Sequence, residues 1–325
     1  MDELTIAAVL GSTLRVSVPL ILCALAGVLS ERSGVIDLGL EGKMLLAAFA
    51  AGAAGAASGS TALALAAALA AGVSASMLHG FACVTHRGDQ VVLGIAITMT
   101  AAGLTVVLGI AWFGLGGQTP PLPEAARLDK WFTGAAAAVQ DVPLVGRLLG
   151  LAVLGHDAFV YGAFAAVAAV WWLLYRTRFG LRLRAAGENP AMVEAAGLSV
   201  QGLRYRALAL NGVLCALAGA YLVLAMNPSF LPHMTAGRGY MALAAMIFGK
   251  WHPVLALWAC LLFGFLDAAS IRLQGVPLPD AFGGGTVPVQ AIQALPYVLT
   301  VVLLAGFIGR SRAPAALGVP YVKTR

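Results

Sequence analysis

What most constrains this chain is a succession of apolar segments, most of them long enough to cross hydrocarbon, separated by short polar stretches. A helix needs about 20 apolar residues to span the roughly 30 Å core of a bilayer. Segments near 4–29, 43–58, 61–84, 91–113, 157–175, 207–226, 253–271 and 289–309 reach or approach that length, and 239–249 is a shorter one. The regular apolar–polar alternation of barrel strands is absent. Inside lipid the backbone has no water to bond to, so the segments must satisfy themselves as helices. With 60% hydrophobic and 10% charged residues, the chain also lacks the polar surface to clothe a soluble globule of 325 residues. We expect an all-α polytopic membrane protein with about 8–10 transmembrane helices, a single domain over 1–325.

Orientation follows from the 20 Lys and Arg. With residues 176–206 in the cytoplasm and spans alternating outward, the inner side holds Arg32, Lys43, Arg87, the six Arg of 176–206, Lys250, Arg310, Arg312, Lys323 and Arg325. The outer side keeps only Arg127, Lys130, Arg147, Arg238 and Arg272, as the positive-inside rule requires. Nine crossings then put the C-terminus inside and the acidic N-terminus outside. Asp2 and Glu3 stand where a signal peptide would be basic, so the first span is expected to be retained. Cys23, Cys83, Cys215 and Cys260 lie inside apolar segments at spacings that suit neither a metal site nor a disulfide framework, and read as packing residues.

Runs of Ala and Gly at 47–59 and 62–76 let helix backbones approach closely, which favours a tight bundle. Gly and Pro interrupt the apolar pattern near 31–42, 227–240 and 275–288. Backbone at membrane depth there must be buried in protein or line a wet cavity, so broken or re-entrant segments are expected. Residues 41–49, EGKMLLAAF, also echo residues 238–246, RGYMALAAM, in opposite predicted directions, which suits an inverted repeat.

The segment 176–206 is an island of eight charges, six of them Arg. Within it, Asn189 is a good N-cap, Pro190 suits a first helical position, and Gly197 is a natural stop. The sequence predicts a short helix over 190–196. A positive-inside loop requires charge but not a capped helix, so this element asks for a further explanation.

At this point three separated stretches carry a resemblance. ERSGVIDLGLEGKMLLAAFAA at 31–51, TRFGLRLRAAGENPAMVEAAGL at 177–198 and GRGYMALAAMIFGKWHPVLALWACLLFGFLDA at 237–268 resemble, in order, the ABC-transporter permeases of the branched-chain amino-acid/monosaccharide/nucleoside group, the inner-membrane translocators. APAALGVPY at 313–321 is most like the nucleoside-type second permease. The resemblance implies a permease subunit of an ATP-driven importer in the bacterial cell membrane. Its partners would be an ABC ATPase, a second permease in a heterodimer or a homodimer, a solute-binding lipoprotein or periplasmic protein, and lipid, with no nucleic acid. The chain would bind no cofactor and catalyse nothing; ATP and Mg²⁺ would be used by the partner. No GxxxxGK[ST] phosphate loop occurs in it. Residues 176–206 would be the cytoplasmic coupling loop, with Gly187, Glu188, Asn189, Pro190, Met192, Val193, Glu194 and Gly197 meeting the ATPase: the Glu side chains as polar contacts, Met192 and Val193 as apolar ones.

The solute is expected to be a nucleoside, with a monosaccharide such as ribose as the alternative. A planar neutral ligand calls for aromatic faces and amides, and Asn227, Phe230, Tyr240 and Phe248 cluster at the broken region, with Asp267 as the one midspan carboxylate. Asp37 and Glu41 read as structural polar groups, and Arg15, inside the first span, either snorkels outward or pairs with one of them. An ion-coupled secondary transporter would want several buried midspan carboxylates, and Asp267 alone is too few.

Overall fold

The computed structural model describes residues 3–128, 131, 154–273, 294, 298, 302 and 312–322. Its elements are α1 (Glu3–Arg32), α2 (Leu40–Ser58), α3 (Thr61–Gly80, extended by a π-turn Phe81–Thr85), α4 (Gln90–Phe113), α5 (Ala158–Arg176), α6 (Arg178–Glu188), α7 (Pro190–Ala195), α8 (Val200–Tyr221, extended by a π-turn Leu222–Met226), α9 (Arg238–Phe248) and α10 (Pro253–Leu273), with no strand among the described residues. Seven of these, α1–α5, α8 and α10, are long and apolar enough to cross a membrane. The expected span at 289–309 lies outside the described residues apart from three isolated positions.

The helix ends are set by local chemistry. Asp89 caps α4 by accepting from the Val91 and Val92 N–H groups at 2.9 and 3.0 Å, and Gly114 ends it at φ 66°. Ser199 caps α8 through the Gly202 N–H. Between the caps, small residues decide how near the helices come. A Cβ on Gly72 of α3 would stand 2.8 Å from the Gly212 carbonyl oxygen of α8, and a Cβ on Gly212 would stand 2.9 Å from that of Gly72. The small-residue runs therefore do what was expected of them.

Helices α1, α2 and α8 form the inside of the bundle, with about three-quarters of the most apolar stretch of each buried, while little of that stretch in α4 is buried. One core gathers Val18–Leu29 of α1 with α5, α8, α9 and α10; a second packs α2 against α3, α8 and Phe230. All four cysteines are buried and unpaired, as packing residues should be.

The break at 227–240 is real. After α8 the chain passes back along α2 without helix, Phe230 meeting Phe49 edge-on at 5.2 Å. It then resumes as α9, whose 11 residues amount to about 16 Å, half a crossing. Its backbone is satisfied by the connection that follows α4. The Thr119 and Leu122 N–H groups donate to the Phe230 and Pro228 carbonyls, and the Phe230 N–H donates to the Thr119 hydroxyl. The two echoing segments meet at their starts, Gly239 lying against Glu41.

Candidate functional site

One end of the bundle gathers the C-terminus of α1, the turn into α2, α6, α7 and the tail 312–322. The short helix is capped as read from sequence. The Asn189 carboxamide accepts from the Met192 N–H at 3.2 Å, Pro190 takes the first position, and Gly197 closes the element at φ 77° with its N–H on the Glu194 carbonyl. The preceding basic stretch, expected as loop, is also helical. α6 starts on a Thr177 cap to the Gly180 N–H and turns Leu183 and Ala186 inward.

Gly187 and Glu188 thus end α6. Any Cβ on Gly187 would collide with the Arg32 carbonyl, so this glycine lets α6 rest on the end of α1. The tail closes over the contact. The Ala316 and Gly318 N–H groups donate to the carbonyls of Gly187 and Gly34 at 2.8 and 3.2 Å, and the Ala315 N–H reaches the Glu188 carboxylate at 3.3 Å. Arg204, counted above as a topogenic charge, is only 1% exposed and donates to the carbonyls of Ser33 and Val319.

The two apolar candidates of α7 separate. Val193 is buried on Ala186, Val200 and Leu203 and holds α7 to its base, leaving only a small part of its surface on the groove between α6 and α7. Met192 is 69% exposed beside a groove of about 510 Å³ between α6 and α7, walled by Leu181, Ala185, Ala196 and Leu198, with Arg182 and Glu188 at its polar places. Glu194 is half-buried.

Above this end, the turn between α1 and α2 carries a polar lock. Lys43 is wholly buried, its ammonium 2.6 Å from Asp37, 3.1 Å from the Asn211 carboxamide oxygen and 3.3 Å from the Ser76 hydroxyl. The His79 Nδ1 lies 3.2 Å from both Lys43 and Asp37. Asn211 donates onward to the Ala26 carbonyl, and Ser76 to that of Leu208. The lock thereby ties α1, α2, α3 and α8 together. Burial by itself would raise the Asp37 carboxyl, but the Lys43 charge and His79 outweigh it and hold it well below the usual carboxylate range.

Glu41, one turn on, accepts from the Gly237 and Gly239 N–H groups at 2.8 and 2.6 Å. Gly237 has no side chain to cap α9, so a carboxylate from α2 caps it, placed where the helix dipole favours an anion. A Cβ on Gly239 would stand 2.6 Å from the Glu41 backbone.

Arg15 pairs with neither Asp37 nor Glu41, because it lies toward the other end of α1 and those carboxylates are engaged elsewhere. It lines a cavity of about 450 Å³ with Ser12, Arg127, Asp157 and Tyr221. The expected solute cluster is not gathered either. Asn227 spends its amide on the Leu222 carbonyl at 3.0 Å, Phe230 is fully buried against α2, Phe248 packs on Phe263 of α10, and Tyr240 is 43% exposed. Asp267 is half-buried on α10. No group of three or more His, Cys, Asp or Glu among the described residues could hold a metal ion.

Sequence reasoning missed Lys43, His79 and the Asp157–Tyr221 pocket. A lysine set in EGKMLL, six residues after an aspartate, was the available signal for the lock. For the pocket it was that Arg127 and the start of α5 fall on the predicted outer side, with Arg15 inside the first span and able to snorkel toward them.

Known proteins place the whole chain. A Bacillus subtilis guanosine ABC transporter permease protein is 37% identical, the alignment covering 96% of this chain and 95% of the relative. A nucleoside ABC transporter permease protein of Lactococcus lactis is 33% identical over 99% of this chain and 98% of its own length. A putative glucose ABC transporter permease protein of Haloferax volcanii is 32% identical over 97% and 95%. The family described as branched-chain amino acid transport system / permease component matches residues 9–307, and this multi-pass membrane protein, a permease of the ABC-transporter kind, belongs to it.

Proposed function

We propose that the chain is one of two permease subunits, paired as a heterodimer, of an ATP-driven nucleoside importer in a bacterial cell membrane. The observation that carries the mechanism is the α6–α7 segment: a capped helix presenting Met192 beside an apolar groove, clamped onto the end of α1 by Gly187 and the tail. A partner ATPase seated there pushes on α7. Its motion passes through α6 and Arg204 to α1, α5 and α8 without needing a flexible link. The chain hydrolyses no ATP itself; ATP and Mg²⁺ belong to the partner, and an extracytoplasmic binding protein delivers the solute.

Residues 176–206 are then the cytoplasmic coupling loop of a single permease domain. The tail packs at this end while the start of α1 lies at the other, which supports an inside C-terminus and an outside N-terminus. The solute class rests on the guanosine and nucleoside permeases among the relatives. A monosaccharide is the second reading, favoured by the Haloferax relative.

Two measurements test this. Replacing residues 188–194 by Gly/Ser should abolish stimulation of the ATPase by loaded binding protein, and unchanged stimulation rejects the coupling role. Uptake of radiolabelled purine and pyrimidine nucleosides, with ribose and glucose as competitors, should depend on the chain; equal nucleoside uptake with and without it rejects the solute class.

A further inference from the structure

Helices α5 and α8 both pack on α1 and leave an apolar cleft of about 280 Å³ between them. Leu29 of α1, Trp172 and Leu173 of α5, and Leu210 and Leu214 of α8 line it. These are the stretches nearest the last residue of α5 and the first of α8, so the cleft sits at the α6–α7 end of the bundle. Its innermost α5 residue, Ala169, lies seven residues before Arg176, about 10 Å along the helix. The hydrocarbon core is about 30 Å thick, so the cleft belongs to one leaflet. Trp172 is 58% exposed at its edge, the place of an aromatic belt residue.

Two cations flank the mouth. Arg176 follows Trp172 by four positions and Leu173 by three, and Arg206 precedes Leu210 by four, spacings that put each arginine on the cleft-lining face of its helix. The two helices run in opposite directions through this end, so both guanidinium groups stand at the same rim. Both residues are exposed, and among the described residues neither makes an ion pair. Neither α5 nor α8 contains an acidic residue. Arg176 is held over the Trp171 ring at 5.7 Å. Membrane orientation asks for positive charge on this side, but not for two arginines on the walls of one cleft. The larger apolar groove between α3 and α4, about 540 Å³, differs here: Arg87 in the adjoining turn has Asp89 two residues away.

We propose that this cleft seats an anionic phospholipid of the inner leaflet, with one acyl chain between α5 and α8 and the phosphate between Arg176 and Arg206. An acyl chain asks for no polar partner and finds none on the walls. A phosphate takes paired N–H bonds from guanidinium groups, and the cytoplasmic leaflet is the anionic one. A helix, at least about 10 Å across with its side chains, is too wide for a cleft of this volume. Because α6 starts two residues beyond Arg176, the bound lipid braces the corner where α5 meets α6.

The inner leaflet rests on the coupling role argued above, and the test is chosen so that the two can fail separately. The purified whole transporter is exposed to equal amounts of phosphatidylglycerol and phosphatidylcholine with the same chains, and the lipids it retains are counted by native mass spectrometry. Wild type should prefer phosphatidylglycerol. Arg176→Gln and Arg206→Gln should each lower the ratio about fivefold, and the double variant about 25-fold. Arg87→Gln removes the same charge at the same end and should leave the ratio unchanged. Ala169→Phe, at an exposed position of the cleft wall, should abolish the preference with both arginines in place. No preference in wild type, an equal fall in Arg87→Gln, or a preference that survives Ala169→Phe overturns the site. Loss of another permease subunit from the Ala169→Phe complex makes the cleft a subunit interface and overturns it too. Unchanged ATPase stimulation after the 188–194 replacement rejects the coupling role and leaves the lipid ratios standing.

Discussion

Two polar clusters inside this bundle are built from the same kinds of residue and differ in how many helices they tie together. Around Lys43, the carboxylate, amide and hydroxyl all converge on one ammonium, at 2.6 to 3.3 Å. Around Tyr221, two guanidinium groups, a carboxylate and two hydroxyls line open volume, and the tyrosine hydroxyl has no partner among the described residues. A network centred on a buried ion pair fixes helices to one another, because breaking one of its bonds strands a buried charge. In the second cluster Arg15 and Ser12 bond within α1, and the Tyr221 hydroxyl is a buried polar atom without a partner among the described residues, so removing it strands nothing. The difference marks the first cluster as the architecture that holds α1, α2, α3 and α8 together, and the Tyr221 hydroxyl as a group the fold can lose.

The sharpest way to break this comparison is Lys43→Met. It leaves the Asp37 carboxylate buried with no cation, an outcome that typically costs about 3–5 kcal/mol. We expect a large fall in the thermal midpoint of the purified complex, and in the amount reaching the membrane. The double variant Lys43→Met/Asp37→Asn should recover most of the loss, since the stranded charge is gone. If the double variant is no better than the single one, the pair is not what holds this turn.

Next in size is Glu41→Gln. The carboxylate spans two backbone N–H groups at the start of α9, and an amide offers one acceptor oxygen and no charge. Charge-assisted bonds to a buried partner are worth about 1.5–3 kcal/mol, so hydrogen exchange at Gly239 should quicken by one to two orders of magnitude. An unchanged exchange rate would mean that α9 is held by packing on α1 alone.

A smaller effect reads the lock through pH. The folded Asp37 carboxyl sits below its unfolded value, so its contribution is fully present above about pH 4 and lost as pH falls through the folded value. The difference in stability between wild type and Asp37→Asn should be flat from pH 7 to pH 5 and shrink only below about pH 4. A difference that already shrinks between pH 7 and pH 6 would mean that a group other than Asp37 carries the pH dependence.

The layers of this fold differ in how far the sequence exposes them. Spans are legible because lipid enforces length and apolarity: Gln90–Phe113 and Pro253–Leu273 fall within a residue or two of where hydropathy ends. The cap at Asn189–Pro190 is legible because its chemistry is local. Arg204 and Lys43 were not, since a cation near a span end has the same sequence signature whether it faces water or is buried against carbonyls brought from residues 33 and 319. Phe230, Tyr240 and Phe248 misled for the complementary reason. They are neighbours in sequence, but the passage along α2 and the turn into α9 send them to the α2 core, the surface and the α10 face.

The smallest expected effect is the one that decides the comparison. Tyr221→Phe removes a single oxygen from a buried ring and breaks no bond among the described residues. Around Lys43 such a change strands a partner; here it removes a buried polar atom without a partner among the described residues, which does not weaken the folded state. The thermal midpoint of the complex should therefore stay level or rise, within about 0.5 kcal/mol of wild type, the scale of substitutions that touch no packed feature. The stacked contact with Phe159 remains, since the ring is unchanged. A fall of more than about 1 kcal/mol would show that the hydroxyl is already bonded in the folded protein, and the pocket would then join the lock as architecture.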